Sequence, residues 1–159
     1  MTKLITCLWF DGQAREAAEF YASVFPDSHV GKAHASAVDI PSAKAGDDLT
    51  VDFTVLGQPY IGLNGGPHHK PNQSVSFMVL TETQEETDRY YDAIVGNGGT
   101  ENACGWCQDR WGFSWQITPR VLLEAMADPD RAAAKRSMQA MMTMRKIDIA
   151  AIEAARRGA

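Results

Sequence analysis

The chain has 159 residues, which suits one domain or two small halves that share a core. Since 45% of the residues are hydrophobic, that core can be sizeable. Its formal net charge is −5 and its basic residues form no stripe, which argues against a nucleic-acid partner. No apolar run approaches the ~20 residues of a membrane span, and the first ten residues lack the features of a secretion signal. Three cysteines do not suggest a disulfide framework. We therefore expect a cytoplasmic protein that neither crosses a membrane nor binds nucleic acid.

The first part of the chain is predicted to begin with a strand and a helix. Leu4–Phe10 is apolar enough for a strand, and Asp11-Gly12 can end it and cap the next element. Apolar residues recur three, four, seven and eight positions after Ala17, which predicts one face of a helix that ends before Pro26. Further strands are expected at roughly 29–38, 49–56 and 59–64.

The same pattern then repeats at an offset of 70 residues. Ser74–Leu80 is predicted to be a strand, and Thr83-Gln84-Glu85-Glu86 is a capping box that opens a helix. The apolar pairs of the two helices coincide at this offset, as Phe20-Tyr21 falls on Tyr90-Tyr91. An internal repeat explains strand, cap and helix together. A chance match between two amphipathic helices is the alternative.

A β-hairpin is predicted over Cys104–Pro119. Asp109-Arg110-Trp111-Gly112 has the composition of a turn in which Gly112 can take a positive φ. After the turn, Phe113, Trp115 and Ile117 alternate with Ser114, Gln116 and Thr118, so the strand has an apolar face and a face of neutral polar groups.

Residue parity predicts which side of each strand faces the helices. In several proposed strands the odd-numbered residues are apolar, so the helices should cover the odd face. The even face then meets water, a ligand or a partner, and it mixes polar residues with apolar ones. A mixed lining of this kind is typical of a small-molecule pocket.

The last 40 residues are predicted to be helical. Asp128-Pro129-Asp130 begins one helix, and Asp148 can cap another. Met138, Met141 and Met142 lie on one stripe, which favours core or dimer packing over a binding surface.

Four segments stand out together: LWFDGQAREAAEFYASVFP, IGLNGGP, VSFMVLTETQEETDRYYD and CGWCQDRWGFSWQITP. In these segments the chain resembles the PhnB-like branch of the vicinal oxygen chelate superfamily, which includes glyoxalase I, bleomycin-resistance proteins and extradiol dioxygenases. This branch is often labelled 3-demethylubiquinone-9 3-methyltransferase. The resemblance implies an α+β fold in which two βαβββ modules, 1–67 and 68–119, form a curled mixed sheet around a cavity, followed by a helical extension at 120–159. It also implies a homodimer. Exchange of modules between chains is a further expectation, because each module leaves a sheet edge that another copy can cover.

The resemblance also implies where a metal would be held. Metal-using relatives place ligands on the first and last strands of each module, which correspond here to Leu4 or Thr6, Tyr60 or Gly62, Ser74, and Gln116. The superfamily histidine would fall on Ser74 and the glutamate on Gln116. Serine and a glutamine amide are poor substitutes for imidazole and carboxylate. We therefore predict no bound catalytic metal and no cofactor.

Three other candidates have a functional and an ordinary interpretation. Cys104 and Cys107 have the spacing of a redox pair, but ordinary packing is favoured in a hairpin. His68-His69 can bind adventitious metal or line a cavity mouth, although solvated loop residues are the favoured interpretation. Asp109 is expected to make the turn at an exposed tip, where it would be a poor general base.

The predicted function is binding of an unidentified small molecule. One alternative is a metal-dependent lyase, isomerase or dioxygenase whose ion is recruited by Asp52 and the loop histidines. Another is a methyltransferase, although no glycine-rich turn opens a helix to cradle its cofactor. The predicted cavity lining consists of Thr6, Leu8, Asp52, Tyr60, Asn64, Ser74, Ser76, Trp106, Ser114 and Gln116.

Overall fold

The computed structural model describes residues 1–159, and the contacts within the chain divide it into two compact units, Met1–Pro71 and Asn72–Ala159. The elements of the first unit are β1 (Thr6–Phe10), α1 (Ala14–Val24), β2 (His29–Ala35), β3 (Asp48–Val55) and β4 (Gln58–Asn64). Those of the second are β5 (Ser76–Thr81), α2 (Gln84–Gly96), β6 (Thr100–Glu101), β7 (Trp106–Gln108), β8 (Ser114–Pro119), α3 (Arg120–Met126), α4 (Arg131–Met141) and α5 (Ile149–Arg157).

Both units contain a four-stranded mixed sheet with the same topology. The strand orders are β1-β4-β3-β2 and β5-β8-β7-β6, and in each sheet the first and last strands of the βαβββ sequence pair in parallel. The starts of β1 and β5 are 70 positions apart, and so are the starts of α1 and α2. The shared strand order, together with this spacing, confirms the predicted repeat and the α+β fold.

Helix α1 packs closely on the first sheet at Gly62. An added Cβ at Gly62 would lie 2.8 Å from the Cβ of Ala14, so only glycine allows this approach. The same face buries Val51 and Phe53 of β3, and the ring of Phe53 lies 6.0 Å from the ring of Tyr21 on α1. The helix-covered core of this unit therefore forms around the centre of β3 and β4.

This packing contradicts the predicted parity in two strands of the first unit. Leu8 on β1 pairs with Gly62 on β4, so the even residues of both strands lie under α1. The antiparallel register sets Val51 of β3 beside Gly62, which joins odd residues of one strand to even residues of the next. The parity prediction failed for two reasons. Strand β1 has apolar residues at both odd and even positions, and the register of β3 against β4 puts odd residues of one strand and even residues of the other on the same face.

The second sheet follows the predicted parity. Its odd residues face α2: Trp115 is 2% exposed, Ile117 and Cys107 are fully buried, and the hydroxyl of Thr81 lies 2.7 Å from that of Thr87 on the helix. Strand β5 begins at Ser76 instead of the predicted Ser74. The hairpin prediction is confirmed, because β7 and β8 pair in an antiparallel ladder and Gly112 has a φ of 93°.

The residues that cap the N-termini of α1 and α2 come from different parts of the chain. Thr83 caps α2 as predicted, because its hydroxyl accepts a hydrogen bond from the Glu86 N–H. The predicted cap of α1 at Asp11-Gly12 is wrong. The N-cap position is Gln13, which makes no side-chain bond, and the side chain of Asn64 on β4 accepts from the Ala14 N–H at 3.0 Å.

The C-terminal helices form a small core of their own around Leu122, Ala125, Ile147 and Ile152. Asp130 and Asp148 cap α4 and α5 as predicted. The Gln84 side chain of α2 binds this segment, since its amide donates to the Ile147 carbonyl and its oxygen accepts from the Ile149 N–H. Met141 packs against the small core, whereas Met138 and Met142 remain 47% and 62% exposed. None of the helices is long and apolar enough to cross a membrane.

Substitution of Gly62 by alanine tests the close packing of α1. We expect Gly62→Ala to lower the free energy of unfolding by about 1–3 kcal/mol, because the new methyl group overlaps Ala14. Gly96→Ala is the matched control, because no heavy atom lies within 4 Å of its added Cβ, and it should leave stability unchanged or slightly raised. Urea denaturation measures both. Equal effects of the two substitutions would contradict the proposed packing.

The ion pair between Asp128 and Arg156 makes part of the stability depend on pH. The hydrogen bond from Arg156 at 2.7 Å, followed by the Asp130 N–H, lowers the pKa of Asp128 below its ordinary 3.8. A lowered folded-state pKa gives stabilisation that is complete above the unfolded-state value and is lost as the pH falls through the folded-state value. Asp128→Asn should therefore be destabilising at neutral pH, and its difference from the parent should shrink below about pH 4. Thermal unfolding across pH measures this, and a difference constant with pH would refute it.

Candidate functional site

The face of the second sheet that lies away from α2 carries only uncharged side chains. We call it the far face of the second sheet. On it, the Gln116 amide donates to the Ser76 hydroxyl at 2.8 Å, and Trp106 on β7 is the direct neighbour of Gln116. Alternation along the strands gives its full membership: Ser76, Met78, Leu80, Thr100, Trp106, Gln108, Ser114, Gln116 and Thr118.

Ser114 has the one side chain on this face that is buried without a hydrogen-bond partner. It is 1% exposed, and its Oγ contacts no donor or acceptor. A buried hydroxyl in this state costs about 1–3 kcal/mol of free energy. Such a group in a native protein is a candidate for a binding contact that forms only with a ligand.

A concavity of about 450 Å³ opens beside Trp106 at the edge of this sheet. The preceding loop forms one wall, and the backbone N–H groups of Cys104 and Gly105 hold that loop by donating to the carbonyls of Met144 and Arg145. The wall is thus fixed to the C-terminal segment before a ligand arrives. The concavity is lined by Gln73, Asn102, Ala103, Cys104 and Trp106.

Asp109 organises the hairpin that carries the far face. Its Oδ1 accepts from the N–H groups of Trp111 and Phe113, and its Oδ2 accepts from the indole N–H of Trp115 at 2.9 Å. The prediction that Asp109 makes the turn is confirmed. The prediction of an exposed tip is wrong, because Asp109 is 4% exposed under the indole that it binds. Both carboxylate oxygens of Asp109 therefore serve to hold the hairpin together.

The predicted lining residues fall into separate groups. Ser76, Trp106, Ser114 and Gln116 share the far face of the second sheet, and Asp52 lies on the side of the first sheet away from α1. Four others are on the helix side of the first sheet or at its margin: Thr6, Leu8, Tyr60 and Asn64.

Three of the predicted positions have a structural role or place that the sequence did not indicate. Leu8 is buried in the core, and Asn64 supplies the cap of α1 while its amide donates to the Asp48 carbonyl. Ser74 lies before β5, where its N–H and hydroxyl both donate to Asn72. The wrong parity explains Leu8 and Asn64, and a strand start set two residues too early explains Ser74.

The residues present do not fit a divalent metal centre of the kind that the superfamily uses. Ser76 and Gln116 offer a hydroxyl and an amide, and no three histidine, cysteine or carboxylate side chains converge in a geometry that could hold an ion. Asp52 is paired with His34, with 3.1 Å between Oδ2 and Nε2. The ring of His69 instead packs edge-on against Trp9 at 4.7 Å.

The two hairpin cysteines differ in environment. Burial, followed by the negative charge of Asp109, raises the pKa of the Cys107 thiol to about 12. Cys104 is half-buried in a left-handed backbone conformation with a φ of 61°. Neither a helix N-terminus nor a cation activates Cys107, which supports the packing interpretation.

Sequence reasoning missed two features of these faces. The contact of His34 with Asp52 depends on an irregularity in β2 that no periodicity of the sequence reveals. Asn102 and Gln73 line the concavity although both lie outside the strands. The clusters of glycine, proline and asparagine around these loops were the only available signal.

The chain is similar to a sequence family and to several solved structures. The sequence family described as 3-demethylubiquinone-9 3-methyltransferase matches residues 2–118. The PhnB protein from Bacillus cereus has 28% sequence identity and a TM-score of 0.65, over 74% of this chain and 99% of that one. A protein from Pseudomonas aeruginosa is 16% identical with a TM-score of 0.60, over 75% and 98% of the two chains. A glyoxalase-related enzyme from Fulvimarina pelagi is 11% identical with a TM-score of 0.47, over 74% and 88%. No curated protein matches the sequence.

Removal of the Asp109 carboxylate should destabilise the hairpin. Asp109→Ala is expected to cost about 2–4 kcal/mol, because it leaves a buried indole N–H and two backbone N–H groups without an acceptor. Asp47→Ala is the control, since Asp47 accepts one backbone N–H in an exposed turn and should cost about 1 kcal/mol or less. Chemical denaturation compares them. A cost for Asp109→Ala no larger than that of the control would contradict the buried role.

Thiol reactivity tests the environment of Cys107. Because the thiolate is the reactive form, Cys107 should react with DTNB at about pH 8 at least ~100-fold more slowly than Cys104. Cys107→Ser should leave the fast phase unchanged, and the denatured chain should titrate three thiols. Joint loss of the Cys104 and Cys107 thiols on mild oxidation would instead establish a redox pair.

Proposed function

Because the chain belongs to the 3-demethylubiquinone-9 3-methyltransferase family, the PhnB-like branch of the vicinal oxygen chelate superfamily, we propose that it binds a small uncharged molecule on the far face of the second sheet. The observation that carries this proposal is the buried hydroxyl of Ser114, which has no partner on a face otherwise provided with hydrogen-bonding groups. A ligand that reaches it would recover the free energy that its burial costs.

The composition of the face defines the ligand. Gln116 and Ser76 supply donors and acceptors, and the indole of Trp106 supplies a flat apolar wall beside the concavity. No charged group lies on the face to neutralise an ionic ligand. We therefore propose a neutral ligand with a planar or apolar part and at least one carbonyl or hydroxyl group.

We propose that this binding needs no protein-bound metal. The donor chemistry of Ser76 and Gln116 supports this, because neutral oxygen and amide groups compete poorly with water for a transition metal. We further propose a cytoplasmic homodimer, in which the exposed edges of the sheets, together with Met138 of α4 and Met142 at its end, contact a second copy. Light scattering after size-exclusion chromatography measures that state.

Elemental analysis followed by a ligand screen tests the proposed function. The untagged protein should carry well under one equivalent of any transition metal, and calorimetry should detect no micromolar binding of Zn²⁺ or Mn²⁺. A thermal-shift screen of neutral metabolites, with S-adenosylmethionine included, should then yield stabilising compounds. Stoichiometric metal, or stabilisation by S-adenosylmethionine alone, would contradict the proposal.

Substitution of Gln116 locates the binding. Gln116→Leu keeps most of the side-chain volume and removes the amide, so the Kd of a screening hit should rise at least ~10-fold. Gln58→Leu makes the same change at an exposed strand position and should leave the Kd within about two-fold. Calorimetry gives both values. An unchanged Kd in Gln116→Leu would place the ligand elsewhere.

A further inference from the structure

The concavity beside Trp106 contains two side-chain amides that no other group of the protein uses. Asn102 follows β6 and is half-buried, and Gln73 lies at the rim before β5. Neither carboxamide makes a hydrogen bond within the chain, whereas the amides of Gln84 and Gln116 both do. A carboxamide presents a hydrogen-bond acceptor and a donor side by side in one plane. The wall of the concavity therefore offers a paired donor and acceptor to a ligand.

The backbone of Asn102 is fixed although its side chain is free. Its N–H donates to the Trp106 carbonyl at 3.0 Å. The hydroxyl of Tyr91 on α2 is shared between the carbonyls of Asn102 and Trp106, at 3.5 Å and 3.4 Å, and Tyr91 itself is 1% exposed. The Cα of Asn102 is therefore in place before a ligand binds, which reduces the conformational entropy that binding must overcome.

The next two residues hold this wall against the C-terminal segment. Cys104 and Gly105 are both left-handed, with φ values of 61° and 83°. Their N–H groups donate to the carbonyls of Met144 and Arg145 at 2.8 Å and 2.6 Å. An added Cβ at Gly105 would lie 2.9 Å from Cγ1 of Ile147, so the segment packs directly against the turn. A left-handed residue other than glycine persists only where its surroundings determine it, so these contacts keep the wall in one conformation.

The anchoring segment is a feature of this chain beyond the part shared with the family. Residues 144–147 lie outside residues 2–118, over which the chain matches the family. The segment is itself held on α2, because the Gln84 amide donates to the Ile147 carbonyl at 3.0 Å and Lys146 pairs with Asp92 at 2.9 Å. The shape of the concavity therefore depends on residues that the family match does not include.

The remaining lining defines the kind of molecule that fits. The indole of Trp106 is half-buried and provides a flat surface on which an aromatic ring can stack. No charged side chain lines the concavity, so an ionic ligand would lose its hydration without a partner. A volume of about 450 Å³ suits one small organic molecule. The chemistry therefore favours a flat, neutral ligand whose edge carries a donor next to an acceptor.

We propose that this concavity is the specificity pocket of the ligand site and takes a planar heterocycle with a lactam edge, in which a ring N–H and a ring carbonyl stand side by side. The Asn102 carboxamide accepts from the lactam N–H and donates to the lactam carbonyl, while the ring plane lies against the indole of Trp106. Gln73 supplies a second amide at the rim. This inference rests on the proposed function, since it identifies the class of neutral ligand that the second unit binds.

Two compounds that differ by one methyl group test the lactam edge. The first is 2-quinolone, a two-ring lactam, and the second is its N-methyl derivative, which keeps the flat rings and the carbonyl but has no N–H. The parent protein should bind 2-quinolone at least ~10-fold more tightly than the N-methyl compound, as measured by calorimetry. Equal Kd values for the two compounds, or no binding of 2-quinolone at up to about 1 mM, would overturn the proposal.

Substitution of Asn102 separates hydrogen bonding from shape. Asn102→Leu keeps the size of the side chain and removes the amide, so the Kd of 2-quinolone should rise at least ~10-fold and the preference over the N-methyl compound should disappear. Because the free amide has no partner in the protein, this variant should keep its melting temperature within about 2 °C. Asn97→Leu, the same change at the exposed end of α2, should leave both Kd values within about two-fold.

The indole has a separate readout. Trp106→Leu should weaken both compounds by a similar factor and leave their ratio unchanged, because stacking does not depend on the lactam N–H. A preference for 2-quinolone that persists in Asn102→Leu would show that the N-methyl group is excluded by its bulk, and would overturn the role of Asn102.

Failure of this proposal can be distinguished from failure of the proposed function. Compounds from the neutral metabolite screen that bind the parent and bind more weakly to Gln116→Leu would uphold binding on the far face of the second sheet. If the parent nevertheless fails to discriminate between the two quinolones, the lactam pocket is wrong and the proposed function stands. If no neutral compound binds the parent, both are wrong.

Discussion

The close approach of α1 to the first sheet at Gly62 decides how that unit is built. Since an added Cβ would overlap Ala14, the helix can rest on the sheet only where β4 has a glycine. This contact selects the even residues of β1 and β4 for the core, together with Val51 and Phe53 of β3. Within the first unit α1 is the only helix, so no helix of that unit covers the side with Asp52.

In the second unit, a buried carboxylate has the corresponding role. Asp109 accepts from two backbone N–H groups and from the Trp115 indole, so it links the turn of the hairpin to the core beneath it. A charged group is tolerated there because its hydrogen bonds replace those of water. The rigid hairpin then presents Trp106, Ser114 and Gln116 on one face. The negative charge of Asp109 is therefore buried in the hairpin, while the far face of the second sheet carries only uncharged side chains.

The repeated topology with different side chains lets the two sheets serve different chemistry. Both have the same strand order and a helix at the same offset, but the second presents hydroxyls, amides and an indole, and the first presents Asp52 beside His34. A duplicated scaffold can diverge in this way because function depends on the side chains of the site and not on the fold that carries them.

Local pattern determined the elements of this protein, and tertiary contacts determined their faces. The repeat, the Thr83 cap, the hairpin and the buried Trp115 all followed from the sequence, because each depends on residues within a few positions of one another. The cap of α1 did not, since Asn64 supplies it from a distant strand. The far-side position of His34 also required the structure, because the one-residue register shift between Val30 and Ala33 reverses the face on which His34 lies. The register between two strands and the close approach of a helix to a sheet both depend on residues far apart in the sequence. Residue patterns within single segments therefore cannot predict them.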